Sequence, residues 1–230
     1  MPDPLRPHHQ RVFSLLDSLC AELLESTACF FGGGTRIVLE LNEYRQSLDV
    51  DFLCASQDGY RELRNQVSQE SLGDIFASQP TLLREVRADM YGIRTFVEID
   101  TQPVKFEIIR EARIQLAGLQ VLNIPVPCLD HTSAVAEKFL ANTDRGLDTS
   151  TRSRDLIDLA FMMGSWRKED LSRGLELAEA AYGASVLNVL SSTLDLFSDN
   201  DYRKQCVTEL EVRGKQKLDA GLRKLTTLLN

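Results

Sequence analysis

The spacing of hydrophobic positions changes character partway along the chain. Up to about residue 125 they fall mainly in short alternating or continuous runs, and beyond Pro127 they recur at helical spacing. Near the start, Phe13, Leu16, Leu19, Cys20, Leu23 and Leu24 predict a helix over residues 9–25. A short buried strand is expected at 27–31, broken by Gly32, Gly33 and Gly34. A helix from Thr35 to about Leu41 comes next, then a strand that carries Asp49 and Asp51. Residues 60–70 read as a helix with Tyr60, Leu63 and Val67 on one face. The run from Leu83 to Ile109 reads as strands with a hairpin, 94–99 pairing with 104–108 and Pro103 in the connection.

Pro125 and Pro127 mark a linker. Asp130 or Thr132 caps a helix that runs through Asn142, and a second helix covers 152–164. Further helices are expected over 168–181, 184–196, 201–212 and 215–229, weakened or separated by Gly174, Gly183 and Gly214. The predicted organisation is α+β: an α/β module over residues 1–125 and a helical module over 126–230.

Composition narrows the class. A chain of 230 residues, 43% hydrophobic, can bury a full core, and it contains no apolar run long enough to span a bilayer. The N-terminal MPDPLRPHHQRVF lacks an apolar signal core behind a basic start, so a cytoplasmic protein with no membrane association is expected. His8 and His9 read as surface residues rather than a metal pair. The five cysteines form no close pair, which argues against zinc and against a secreted disulfide framework. The net charge of -8 disfavours indiscriminate nucleic-acid binding. From residue 201 onward, however, seven Lys or Arg stand against four Asp or Glu, either a solvated helical face or a contact for RNA or an acidic partner.

The chemistry concentrates in FGGGTRIVLELNEYRQSLDVDFL, residues 31–53. On a strand, Asp49 and Asp51 point to one face while Leu48, Val50 and Phe52 point to the other. Two like charges side by side repel, so the arrangement calls for a cation. Carboxylate oxygens with open positions suit Mg²⁺, with Mn²⁺ as a substitute, and Mg²⁺ commonly holds substrate phosphates as well. A third carboxylate from a neighbouring strand would complete a phosphoryl-transfer site. Glu107, between Phe106 and Ile108, is the first candidate and Glu98 the second. The competing reading makes all four of them strand charges facing water. The glycines favour a site, since a strand, a glycine turn and a helix start offer free N–H groups to an anion. No GKS or GKT stands after them, and the GxGxxG spacing is absent.

GlyGlyThr at 33–35 together with ArgGlnSerLeuAspValAspPhe at 45–52 resembles the GGT…RxSxDxDF signature of the AbiEii/AbiGii-type nucleotidyltransferases. These are the toxin components of type IV toxin–antitoxin pairs and a branch of the polymerase-β-like superfamily. Lys138 matches that family's helix lysine, and ArgAspLeuIleAspLeu at 154–159 its RDxxDL motif. The resemblance implies a polymerase-β-like minimal nucleotidyltransferase fold with a C-terminal helical module. It implies that Gly33, Gly34 and Thr35 border a nucleoside triphosphate and that Asp49 and Asp51 bind metal. Arg45 and Ser47 share strand parity with the aspartates and so reach the same site. Lys138 would contact the triphosphate. Asp155 and Asp158 either sit beneath it or serve as helix-start charges paired with Arg152 or Arg154. Two departures stand out: Gly32 where the family often has lysine, and Glu107 where related transferases carry aspartate.

The expected activity is Mg²⁺-dependent transfer of a nucleoside monophosphate to an acceptor hydroxyl. The resemblance points to tRNA as acceptor and to a cognate antitoxin as partner. The alternatives are a nucleotide- or partner-binding protein that keeps the fold without turnover, and a transferase acting on a small cationic acceptor of the antibiotic kind.

Overall fold

The computed structural model describes residues 6–229, so residues 1–5 of the N-terminal stretch lie outside it. Two compact units result: Met1–Glu40 with Leu48–Asp130, and Leu41–Ser47 with His131–Asn230. The first is the mixed α+β core and the second is largely helical.

The first unit begins with α1 (Pro7–Asp17) and α2 (Ala21–Ser26). The single helix expected over 9–25 is therefore two. The Ser18 hydroxyl donates to the Leu15 carbonyl at 2.6 Å, and the Cys20 N–H turns away to the Ile75 carbonyl at 3.0 Å. His9 is buried beside Val12, Leu15 and Leu16, contrary to its reading as a surface residue, because it falls on the inward face of α1.

The sheet comprises β1 (Cys29–Phe31), β2 (Val50–Cys54), β3 (Arg87–Ala88), β4 (Gly92–Ile99), β5 (Gln102–Arg110), β6 (Gly118–Leu119) and β7 (Cys128–Leu129). Its order is β3-β4-β5-β2-β1-β7-β6. β2 runs antiparallel to β1 and parallel to β5. β1 leads through Gly32 into α3 (Gly33–Glu40), and α4 (Gln57–Gln66) comes after β2. Ser56 caps α4, its side chain accepting from the Gly59 N–H at 3.0 Å. Cys29, Cys54, Cys128 and Cys206 are buried free thiols.

Two details of the sheet differ from expectation. Asp49 precedes β2, which starts at Val50. Pro103 lies within β5, opposite Glu98, rather than in the connection. The turn is the two residues Asp100 and Thr101, both left-handed with φ of 49° and 61°. The Glu98 N–H points away from β5, to the Thr81 carbonyl at 2.9 Å, so Glu98 and Pro103 form a non-hydrogen-bonded pair. The side of Pro103 that lacks a donor faces β2, whose pairing with β5 begins only at Val50 and Phe106. No ladder bond is lost.

One sheet face is hydrophobic core. Phe52 packs against Phe31 and Phe106 with ring centroids 5.5 and 6.0 Å apart, and Phe76 meets Phe106 at 5.3 Å. Val50, Ile93 and Ile108 are fully buried with them. The alternation along β2 sends Asp51 to the other face.

In the second unit, α5 (His131–Arg145), α6 (Arg154–Ser165), α7 (Lys168–Tyr182), α8 (Ser185–Ser198), α9 (Asn200–Glu209) and α10 (Lys215–Thr227) pack together with the segment Leu41–Ser47. Gly174 lies inside α7 rather than at its end, pressed against Val135 of α5. α10 crosses α6 at Gly221, where an added Cβ would stand 1.9 Å from the Ala160 carbonyl oxygen. Backbone cannot yield cheaply at such a crossing. Gly221→Ala is expected to destabilise the protein by about 1–3 kcal/mol through overpacking, despite the better helix propensity of alanine. Urea unfolding measures the effect, and unchanged or increased stability would show that this crossing is looser than described.

Candidate functional site

The sheet unit holds the acidic centre. Leaving β1, the Gly32 N–H donates to the Asp51 carbonyl at 2.8 Å, which extends the β1–β2 register by one pair. Gly33 then opens α3 with φ of +64°, a conformation that strains any residue with a side chain. A Cβ on Gly33 would lie 2.5 Å from Asp51 Oδ2, so the missing side chain is what lets this carboxylate rest against the helix start. Thr35 is buried, and its hydroxyl donates to the Asp49 carbonyl at 2.5 Å. The glycine turn and the two aspartates are thus fixed to one another through the backbone carbonyls of Asp49 and Asp51.

Strand register extends the row sideways. Asp51 pairs with Glu107 across β2 and β5, and Glu107 with Arg94 across β5 and β4. Directly opposite residues share a face, so Asp51, Glu107 and Arg94 stand side by side on the face away from the phenylalanines. Glu107 Oε2 takes a bond from Lys105 Nζ at 2.6 Å, and Arg94 Nε lies 3.4 Å from Oε1. Glu98 is on the same face, opposite Pro103 at the hairpin end. Among the described residues no group of three His, Cys, Asp or Glu side chains is arranged to hold one metal ion. The donors nonetheless suit Mg²⁺: hard, partly exposed carboxylates next to a backbone turn that can approach phosphate. Mg²⁺ usually binds through one or two carboxylates plus substrate oxygens, so a closed protein cage is not required.

The helical unit gathers a different set. Arg45 grips Asp158 with two prongs, Nε to Oδ1 at 2.7 Å and Nη2 to Oδ2 at 2.8 Å. The Tyr44 hydroxyl donates to Asp158 Oδ1 at 2.6 Å. Lys138 Nζ lies 2.8 Å from both Asp155 Oδ1 and Asp158 Oδ2. Arg145 holds Asp155 through Nε at 2.7 Å and Nη2 at 3.0 Å. These five charged groups comprise three cations and two carboxylates. All except Arg145 are buried. Burial alone would raise the Asp155 pKa, but Lys138 and Arg145 outweigh it and hold the group well below the usual carboxylate range. Asp158 is lowered in the same way by Arg45 and Lys138 against burial. Burial and the Asp158 charge push the Tyr44 hydroxyl well up.

Of the positions singled out from sequence, Gly33, Gly34, Thr35, Asp49, Asp51 and Glu107 belong to the sheet unit, and Arg45, Ser47, Lys138, Asp155 and Asp158 to the helical unit. The sequence reading missed Arg94, Lys105, Tyr44 and Arg145. Strand parity in a hairpin with a two-residue turn would have flagged the first two. Nothing local signals Tyr44 or Arg145.

A mixed sheet with an acidic row beside a glycine turn that opens a helix, joined to a largely helical module, is a nucleotidyltransferase-like core with a helical C-terminal module. Residues 14–216 match the family described as nucleotidyl transferase AbiEii toxin of type IV toxin–antitoxin systems, and the chain belongs to that family. Among solved structures it is similar to the MenT4 nucleotidyltransferase toxin of Mycobacterium tuberculosis, with 17% identity over 96% of this chain and 95% of that one and a TM-score of 0.37. It is also similar to a putative nucleotidyltransferase from H. pylori, with 12% identity, 100% and 97% coverage and a TM-score of 0.41. JHP933 from Helicobacter pylori gives 12% identity, 96% and 93% coverage and a TM-score of 0.40. No curated protein gives a match. Among the described residues, no helix is long and apolar enough to cross a membrane.

The lowered aspartates give a signed dependence on pH. A carboxylate whose folded pKa is depressed contributes stability above its unfolded pKa, about 4, and loses it as pH falls toward the folded value. Asp155→Asn leaves Lys138 and Arg145 facing an amide. It is expected to cost about 3–5 kcal/mol at pH 7, mostly through the buried lysine, because the exposed side of Arg145 is screened by solvent. The difference from wild type should shrink below about pH 4. Denaturant unfolding of both proteins at pH 7 and pH 3 checks this, and a gap of constant size would rule out the charge network as its origin.

Proposed function

We propose that this protein is a Mg²⁺-dependent nucleotidyltransferase that moves a nucleoside monophosphate from a nucleoside triphosphate to an acceptor hydroxyl. The observation that carries the reading is the contact between Gly33 and Asp51, which sets an acidic side chain directly against a glycine turn and helix start. In this reading Asp49 and Asp51 hold the ion. When bound, Mg²⁺ neutralises charge on the phosphates being separated. Gly33 and Gly34 present backbone N–H groups to the triphosphate, and Thr35 holds Asp49 in place through its carbonyl. Ser47 is assigned to a phosphate oxygen. The acceptor oxygen bonds to the α-phosphorus, the bond from that phosphorus to the bridging oxygen breaks, and pyrophosphate leaves. The acceptor proton passes to Glu107, the carboxylate beside Asp51 in register.

Lys138 is assigned to a phosphate oxygen. An ammonium has three donors, two of which face Asp155 and Asp158, and the third is assigned to the phosphate. The acceptor is assigned to an RNA end, tRNA above all, and membership of a toxin–antitoxin family supports a cognate antitoxin as partner.

Incubation with each labelled triphosphate, Mg²⁺ and total RNA tests the reading. Wild type should label RNA, and Mn²⁺ should substitute for Mg²⁺. Asp51→Asn should lower the rate by about 100-fold or more, and Gly33→Ala should act in the same direction. Lys138→Ala should weaken triphosphate binding about tenfold, equivalent to 1.4 kcal/mol, in equilibrium titrations. Normal turnover by Asp51→Asn would show that this row is not the active site. One observation favours a second reading: Glu107 is already engaged by Lys105 and Arg94. A protein that binds triphosphate tightly and transfers it to neither RNA nor a small cationic acceptor would be a binding protein built on the same fold.

A further inference from the structure

Between α3 and β2 the chain leaves the sheet unit and returns to it. Glu40 ends α3 and Leu48 rejoins the sheet unit, while the seven residues Leu41–Ser47 belong to the helical unit. The segment has no regular secondary structure beyond a turn at its start, yet Tyr44 and Arg45 are among its buried residues. We infer that Leu41–Ser47 is a positioning strap, in which Tyr44 and Arg45, gripped by Asp158, set where Asp49 stands.

The anchoring is dense for so short a piece. The Tyr44 carbonyl accepts from the Arg213 N–H at 2.7 Å, and the Gln46 N–H donates to the Leu210 carbonyl at 2.8 Å. The Tyr44 ring stacks on Phe161 with centroids 3.9 Å apart. Its hydroxyl and both prongs of Arg45 converge on Asp158, and Arg45 Nη1 also donates to the Gln46 carbonyl at 2.7 Å. The strap enters through Asn42 and Glu43, both left-handed with φ of 63° and 51°. Consecutive non-glycine residues in that region persist only where the surroundings over-determine them.

The residues just beyond the strap are sparsely held. Leu48 is 50% exposed, and regular strand begins only at Val50. Asp49 is tied on one side by Thr35 to its carbonyl. On the other side only Ser47 and Leu48 separate it from the anchored Gln46, too short a span to absorb a shift of the anchor. A displacement of Arg45 therefore passes to Asp49. Errors of about 1 Å in a reacting centre can cost on the order of 100-fold in rate. Arg45 and Tyr44 are positioning residues in this account, with no contact to substrate.

The kinetic part of the test rests on the nucleotidyltransferase reading, and hydrogen exchange does not. Arg45→Lys keeps the charge and loses the two-pronged grip. Tyr44→Phe keeps the stacked ring and loses the hydroxyl bond, and it carries the test if Arg45→Lys does not fold. At a temperature where circular dichroism shows the variants folded, kcat should fall about 10–100-fold while KM for the triphosphate stays within about twofold. Amide exchange should accelerate over Leu48–Asp51 and stay unchanged in the β4–β5 hairpin. A raised KM with unchanged kcat would overturn the proposal in favour of direct substrate binding by Arg45. A lowered melting temperature with unchanged kcat, or with unchanged exchange at Leu48–Asp51, would overturn it in favour of a purely structural ion pair. If wild type transfers no nucleotide, the activity reading fails, and exchange at Leu48–Asp51 alone decides the strap.

Discussion

The need to satisfy a buried carboxylate organises the helical unit. Asp158 is fully buried, and such a charge is tolerated only when its oxygens are matched by donors and cations. Arg45, Tyr44 and Lys138 supply them, and Lys138 in turn requires Asp155, which requires Arg145. Removing any one member leaves its neighbour charged and uncompensated. The network therefore specifies a unique arrangement of α5, α6 and the strap more strongly than apolar contacts of the same size would, since apolar side chains can repack with modest loss. Aspartates at positions 155 and 158 of one helix and a lysine on another thus have a structural consequence independent of any ligand.

The sheet unit meets the opposite problem. Its phenylalanine face is dry, and its acidic face must keep Asp51 and Glu107 side by side. Glu107 is relieved by Lys105 and Arg94 from its own sheet face. Asp51 gains its place from a missing atom, the Cβ of Gly33. A carboxylate held by two side chains is a poor metal ligand until a partner is displaced. Asp51, packed against the glycine turn, stands close to backbone donors that can also face phosphate.

Much of the sheet unit was legible because its signals are local. Alternation around Val50 and Phe52 located β2, three glycines marked the start of α3, and parity put Glu107 on the face of Asp51. The failures there were local too. The two-residue turn at Asp100 and Thr101 lacks the usual Asn-Gly or Asp-Gly signal, so Pro103 was left in the connection. In the helical unit, spacing gave the helices but not their partners. Arg45 and Asp158 are separated by 113 residues, and nothing in the spacing around either points to the other. Strand parity grouped Arg45 with Asp49 and Asp51, but regular strand begins only at Val50, and the Arg45 side chain is held by Asp158. Burial of a charge is a tertiary fact, which periodicity does not encode.

The two relations of Arg45 have a common physical basis. In the family signature the arginine stands four residues before the first aspartate, and in the structure that interval joins a residue locked by an ion pair to one that needs a fixed carbonyl and a fixed carboxylate. A motif of this kind needs no common ligand to be coherent. Arg45 belongs with Asp158 through its side chain and with Asp49 through the chain itself, and the two relations are both short. The RDxxDL helix and the aspartate strand are then linked through one guanidinium. A change at Asp158 would reach Asp49 through the backbone between Gln46 and Asp49, even with every side chain of the acidic row intact.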